Sequence, residues 1–539
     1  MKKISMITFA LLLILPVMAF AGGNQARSAG PVTTAAPGTG YTLPLSTTGE
    51  TLRFTTTDIG TGVSLLDGVP IMNAIEKDTG VRMIWETLPD ADYNAAMQIR
   101  LSAGSDLPDI AKIPGNQMAF IRQLTPLNAL IDAYATNLLI WMKNESNLRK
   151  LIQAPDGEIY ALPQQVYGLM GASDVNAFSP TIRKDWLDKL NIPEPVTLDD
   201  FYRILVRFKD YDPLGNGSVK VIPFAPNPAK HQAPALVGWA YGLHLHAGQG
   251  YAPNANGQII YEWIEPTFRD VLQVMNRWWN EGLIDPMFMN FDGNQWVSQL
   301  VNSQIGATTM RSFQAENNYN NRLREATGDP NAHFWPMKPL VGPTGIVMSE
   351  TDAGTINTAP GANFGLMYNS SKKDLAIKWI DYVAYSPAGI IYEDYGLEGI
   401  SFVTVNGKKQ WTNEYLHHAD GLTTAMRKLG AYRLFMPAAY SNEGRELFFS
   451  ARGEPLLNRA REVYSKLHPI MHFAIAALDE TDTLNNYLTD IESYRDEMVI
   501  KFITGAEPLS RWDEYVNTIR RLNIAEVLKV KQAQYDRLK

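Results

Sequence analysis

The chain is 539 residues long, 45% hydrophobic and 19% charged, with a formal net charge of −8 at neutral pH. That length exceeds what one hydrophobic core holds, so two lobes or more are expected, and the composition excludes disordered and collagen-like classes. The absence of cysteine excludes disulfides, thiolate catalysis, Cys-ligated zinc and a lipid-modified N-terminal cysteine.

Residues 1–21 carry Lys2 and Lys3, an apolar run over 7–20, and small residues at Ala19 and Ala21, the pattern of an export signal. No other stretch approaches twenty uninterrupted apolar residues, so the processed chain is expected outside the cytoplasm, periplasmic or extracellular. Loss of the two lysines takes the charge to −10, and without a basic block nucleic acid is a poor partner. Residues 22–48 are Gly, Ala, Thr, Ser and Pro with almost no charge, which predicts a flexible leader.

From there, residues 52–57 read as a strand, 66–79 as a helix stopped by Gly80, 81–85 as a second strand, 93–101 as a helix stopped by Gly104, and 109–113 as a third strand. This is a βαβαβ series of the doubly wound type, with an α+β domain of other order as the alternative. The third strand leads into Pro114, Gly115, Asn116 and Gln117, so polar groups collect where open α/β sheets bind ligands. Near residue 180 longer amphipathic helices begin: Ser179-Pro180 as cap and first position, with Ile182, Trp186 and Leu190 four apart. Thr197-x-x-Asp200 predicts a capped helix with Phe201, Leu205 and Phe208 on one face. Further helices are expected at 268–281, 375–383, 487–503 and from Ser510 onward.

Catalytic signatures are missing. His244-x-His246 and His468-x-x-x-His472 lack a carboxylate at metal-site spacing, and there is no Gly-x-Ser-x-Gly elbow, phosphate loop or Gly-x-Gly-x-x-Gly after a strand. Glu262 and Glu265 form a carboxylate pair, but spacing alone does not nominate a glycosidase. The loop from Asp210 to Phe224 has calcium-loop texture and fails the position test: counted from Asp212, Leu214 and Lys220 replace oxygen donors and Pro223 stands where a bidentate Glu is required. A Gly-rich turn held by Asp212 and Asn216 is expected, with no metal and no cofactor. Among the tryptophans, Trp278 shares an apolar helix face with Val271 and Met275 and reads as core, whereas Trp263 and Trp335 lie in polar, Pro-containing surroundings suited to stacking on a pyranose.

Six stretches carry a resemblance: LSAGSDLPDI (101–110), IRKDWLDKLNIPEPVTLDDFYRIL (182–205), DPLGNGSVKVIPF (212–224), NEGLIDP (280–286), YGLEGISF (395–402) and KFITGAEPLSRWDEY (501–515). Together, in this order, they resemble the family 1 extracellular solute-binding proteins of ABC transporters, in the branch that includes alginate-oligosaccharide-binding receptors. The resemblance implies an α/β, type II-like periplasmic-binding-protein fold: two lobes, each a sheet flanked by helices, and a helical C-terminal region. Lobes of this kind close by a hinge on a ligand, here a sugar and expected to be an oligosaccharide. It also implies delivery to the transmembrane subunits of an ABC permease, no catalysis, and a monomer. The expected division is 49–165 and 333–395 in lobe 1, and 166–332 and 396–539 in lobe 2. The family's Gly-Asp-x-Pro-Asp motif, here with Ser105 inserted, makes Asp106 the first polar ligand candidate and Asp109 the second. Tyr395 and Glu398, on a Gly-flanked turn, are expected to stack on the sugar and take its hydroxyls. Alternatives are an exported carbohydrate-active lyase or hydrolase and a sensing receptor without a transport role.

Overall fold

The computed structural model describes residues 34–35, 41–59, 62–144, 147–167, 178–226, 233–245, 249–290, 292–311, 319–348, 350–351, 363–432, 435–450, 458–459, 462–463, 468–469 and 471–539. The expected export signal and most of the leader lie outside this set. The leader's end does not: the buried Tyr41 hydroxyl donates to Asp381 at 3.0 Å, and Leu43 and Leu45 pack on the lobe 1 core. Asp381 also accepts from the Asn137 and Leu138 amides at 3.2 and 2.8 Å, which ties this segment to a helix N-terminus.

Lobe 1 opens with β1 (Thr51–Thr57), α1 (Pro70–Thr79), β2 (Arg82–Leu88), α2 (Asp90–Ala103) and β3 (Ile110–Ile113), close to the expected βαβαβ series. Gly80 and Gly104 stop the two helices in the left-handed conformation that a side chain disfavours, with φ of 67° and 63°. β4 (Ala161–Pro163) follows, then β5 (Gln165–Tyr167), from which the chain crosses to lobe 2.

Lobe 2 contains β6 (Phe178–Arg183), α3 (Leu198–Lys209), β7 (Ile222–Ala225), α4 (Pro266–Asn280), β8 (Ile305–Arg311) and β9 (Phe334–Pro336). The chain then returns to lobe 1 as β10 (Asn363–Leu366), α5 (Lys373–Ile380), α6 (Pro387–Asp394) and β11 (Ala438–Tyr440). It ends in α7 (Leu478–Thr504), α8 (Trp512–Arg521) and α9 (Ile524–Asp536).

The first sheet has the order β2-β1-β3-β10-β4, with β1, β2 and β3 parallel and β10 antiparallel to both of its neighbours. Phe54 of β1 packs against Trp85, Phe364 and Trp379, while α2 covers the other face through Tyr93, Met97 and Leu101. Burial of each such ring contributes on the order of 2 kcal/mol. The second sheet has the order β9-β6-β8-β7. Phe201 of α3, Phe224 of β7 and Trp278 of α4 form its ring cluster, and the C-terminal helices close on α4 through Phe502, Trp512 and Tyr515.

Two sequence readings are corrected by pairing. Ser179-Pro180 do not open a helix; they lie in β6, opposite Met310 and Thr309, and the helix starts at Lys184. Pro180 gives the ladder no amide hydrogen, but its carbonyl accepts from the Met337 amide at 2.7 Å. The division of the chain also moves. β9 pairs with β6, so 334–336 stays in lobe 2, whereas Phe402, Met426, Phe448 and Val463 are buried in the lobe 1 core. Lobe 2 resumes only near α7, whose Ile491, Met498 and Phe502 enter its core. The capping box at α3 forms as expected, Thr197 accepting from the Asp200 amide at 3.0 Å and Asp200 from the Thr197 amide at 2.9 Å.

Candidate functional site

In lobe 1 the parallel strands β1 and β3 end at one edge, and the antiparallel β10 begins there, with Asn363 opposite both Ile113 and Pro163. At that edge stand Asn116 and Gln117 after β3, Gln164 and Gln165 after β4, and Asn363, five amide side chains on three strand ends. In lobe 2, β7 and β8 end where β6 begins. Open α/β sheets take ligands at such carboxyl edges.

Gln117 is 3% exposed, and neither its amide oxygen nor its nitrogen has a hydrogen-bond partner among the described residues. An unpaired buried amide costs folding free energy, roughly 1–3 kcal/mol. Asn116 uses both ends of its side chain. Its oxygen accepts from the Met118 amide at 3.0 Å, and its nitrogen donates to Thr481 Oγ1 at 2.6 Å, in the first turn of α7, and to the Ala476 carbonyl at 3.3 Å, just before it.

The residues singled out from sequence lie elsewhere. Asp106 (φ 50°) follows α2, which runs back from the carboxyl edge to the opposite one. Its carboxylate accepts from Arg53 at 3.0 Å and is paired with Arg100 at 3.2 Å, and both arginines also hold Glu86. Burial pushes the Glu86 carboxyl up, but the bonds from Arg100, Thr55 and Arg53 outweigh it and hold the group below its ordinary range. From Arg53 to the end of β1 is four residues, about 13 Å. Asp109 is committed to the same end, accepting from the Arg53 amide at 2.9 Å and from Ser370 Oγ at 2.5 Å.

Trp263 is fully buried in the lobe 2 core, T-shaped against Phe268 at 4.9 Å, with the Arg495 guanidinium 4.7 Å from the ring centre. It has no face open to a sugar. Tyr395 is likewise enclosed, between Phe402 at 5.6 Å and Lys409 at 4.9 Å, and burial with the neighbouring Asp394 pushes its hydroxyl up to about 12. Glu398 is exposed on the turn that Ser401 holds by accepting from the Leu397 amide and donating to the Tyr395 carbonyl. Trp335 is half-exposed on the edge strand β9, opposite Ile182 and edge-on to His333. Among the described contacts, Asp106 and Asp109 meet at Arg53 and Tyr395 adjoins the Glu398 turn; none of these contacts joins the two pairs to each other, to Trp263 or to Trp335.

Other titratable groups near these positions have structural partners. Asp394, buried beneath Gly444, accepts from the Ser441 amide at 2.8 Å, and burial pushes its carboxyl up to about 7. Glu262 is buried and accepts from the His244 amide at 2.6 Å, with His244 Nδ1 3.2 Å from its other oxygen; His246 lies outside the described residues. A separate concavity of about 250 Å³, lined by Leu65, Met72, Ile75, Met83, Trp85 and Trp379, lies along the outer strand β2, away from the five amides.

A family model described as bacterial extracellular solute-binding protein matches residues 67–389, more than half of the chain. The chain belongs to that family. The solute-binding protein is 23% identical over 522 residues, 92% of each chain, to the fructooligosaccharide ABC transporter substrate-binding protein FusA of Streptococcus pneumoniae. Its fold is similar to that of alginate-binding protein AlgQ2 without calcium ion (TM-score 0.69, 22% identity, 91% of this chain and 99% of the other). It is also similar to that of an "HMO binding ABC-transporter associated Solute Binding Protein" from Bifidobacterium longum infantis (TM-score 0.73, 17% identity, 91% and 99%). Both neighbours are two-lobed, as this chain is.

The loop of calcium-like texture after Asp210 is a self-capped turn. Asp212 Oδ1 accepts from the Leu214 and Gly215 amides at 3.3 and 3.0 Å, Oδ2 from Gly217 at 2.8 Å, and Asn216 from Ser218 at 3.0 Å. With Leu214, Lys220 and Pro223 standing where oxygen donors are needed, the residues present do not fit a calcium ion. Millimolar calcium is therefore expected to leave the melting temperature unchanged; a rise reversed by a chelator would contradict this, since a site at a hundredfold excess over Kd stabilises by about 2.7 kcal/mol. Trp263→Ala should destabilise the unliganded fold by about 3–5 kcal/mol in denaturant melts, the cost of a large core cavity. A stable variant with weakened ligand binding would instead place Trp263 in the cleft.

Proposed function

We propose that the protein is an exported ABC-transporter receptor that captures an oligosaccharide between its lobes and presents it to a membrane permease, without catalysis. The observation that carries this reading is the buried, unpaired Gln117 amide on an edge that also bears Asn116, Gln164, Gln165 and Asn363. An amide offers both a donor and an acceptor, the complement of a sugar hydroxyl, and carries no charge that would demand an ionic ligand. Names of relatives and neighbours that bind fructooligosaccharide and alginate support the class. The extracellular family and the absence, among the described residues, of a helix long and apolar enough to cross a membrane fit a protein working outside the cytoplasm.

Within this reading the ligand positions move from Asp106 and Asp109 to Gln117 and its neighbouring amides, with Trp335 and Glu398 kept as exposed positions that a long sugar or the permease reaches. The arginine pairs at Asp106 hold the loop before β3 and thereby set the position of that strand's far end. A carbohydrate-active enzyme needs a pair of carboxylates placed across a glycosidic bond. Glu262, of the Glu262/Glu265 pair that spacing alone does not nominate, is turned to His244.

Gln117→Leu separates binding from folding. Removing an unpaired buried amide should leave the unliganded melting temperature unchanged or raised, while affinity for the oligosaccharide found in a thermal-shift array falls by roughly 1–3 kcal/mol, about 5- to 150-fold. Wild-type affinity in this variant would place the site elsewhere, and shortened products after incubation with the sugar would favour the enzyme.

A further inference from the structure

We propose that residues 474–481 and 534–539 form one stapled piece that ties the lobes together and sets their resting separation. The inference rests on the two-lobed receptor reading but concerns the empty protein. The staple is built of side-chain bonds between the entry and first turn of α7 and the C-terminal end of α9. Gln534 Nε2 donates to the Ala474 carbonyl at 2.6 Å, and Arg537 grips both oxygens of Glu480 at 2.8 and 2.6 Å while also donating to the Ile475 carbonyl at 3.1 Å. Glu480 in turn accepts from the Ala477 amide at 2.8 Å. A bidentate arginine–carboxylate pair with two flanking backbone bonds fixes orientation as well as distance.

The piece is rooted in lobe 2, where Ile524 and Val527 of α9 are core residues. It reaches lobe 1 at two separate places. At the first, Asn116 donates to Thr481 and Ala476, and Ile475 packs on the cluster formed by Tyr93, Met97 and Leu101. At the second, Lys150 Nζ donates to the carbonyls of Leu538 and Lys539 at 3.2 and 3.0 Å, and the Leu538 side chain packs on the lobe 1 core. Two anchors on one stiff piece restrain rotation between the lobes, which one would leave free. Because Asn116 adjoins Gln117, the first anchor also lies beside the proposed ligand position. The second anchor lies in the short helix Leu148–Ile152, which carries none of the five amides, and is the one to cut without touching ligand chemistry.

The cysteine-free chain makes the test direct. Spin labels on Lys77→Cys in α1 and Glu325→Cys in the lobe 2 helix Asn320–Thr327, both exposed, report the inter-lobe distance by double electron–electron resonance without any ligand. Lys150→Met combined with Leu538→Ala should shift or broaden that distribution by several ångström, with Arg537→Met producing a change of the same kind. Coincidence of the variant and parent distributions overturns the proposal. If the combined variant does not fold, Lys150→Met alone, which alters only an exposed ammonium, decides between the same two outcomes. A negative result in the sugar array would strike at the ligand assignment and leave this distance measurement unaffected.

Discussion

Asn363 starts a strand that runs antiparallel between β3 and β4, paired with Ile113 on one side and Pro163 on the other. Much of the site follows from that register. A return strand inserted between two parallel ones brings its own beginning to the edge where they end, so three separate stretches deliver amides to one place. The lobes are covalently joined through the same region: the chain leaves from β5, directly after β4, and re-enters at β10. A slip of one residue would reverse the side chains of β10, turning Phe364 from the core and uncoupling the edge from the crossing segments.

Local structure was largely legible from residue patterns. The βαβαβ opening, the glycine stops at Gly80 and Gly104, and the Thr197/Asp200 capping box follow from short-range stereochemistry, which neighbours in the chain determine. Ser179-Pro180 misled because a cap followed by proline is a local signal, overridden here by pairing with a strand about 130 residues away. The division of the chain failed for a related reason: Phe402 and Phe448 carry no mark of which core they enter, and only the packing of α5, α6 and β11 decides it.

Site residues were less legible. Motif position nominated Asp106, but a fourteen-residue helix, about 21 Å long, carries the chain from the carboxyl edge back to the other end before that loop begins. The βαβ reading already contained the signal: residues directly after a strand face the ligand edge, and those directly before one do not. Asn116 and Gln117, noted only as polar groups after β3, meet that criterion. For the aromatics, polar neighbours in sequence said nothing of Arg495, which reaches the Trp263 ring from α7 more than 200 residues later.

The central claim is that an oligosaccharide is held at the carboxyl edge of the lobe 1 sheet and not at the Asp106 end. Hydrogen–deuterium exchange with and without a sugar that raises the melting temperature tests it most directly. The account predicts added protection in peptides covering 113–118 and 162–167, with 104–108 and 260–264 unchanged. Protection confined to the latter two, with none at the strand ends, would contradict it.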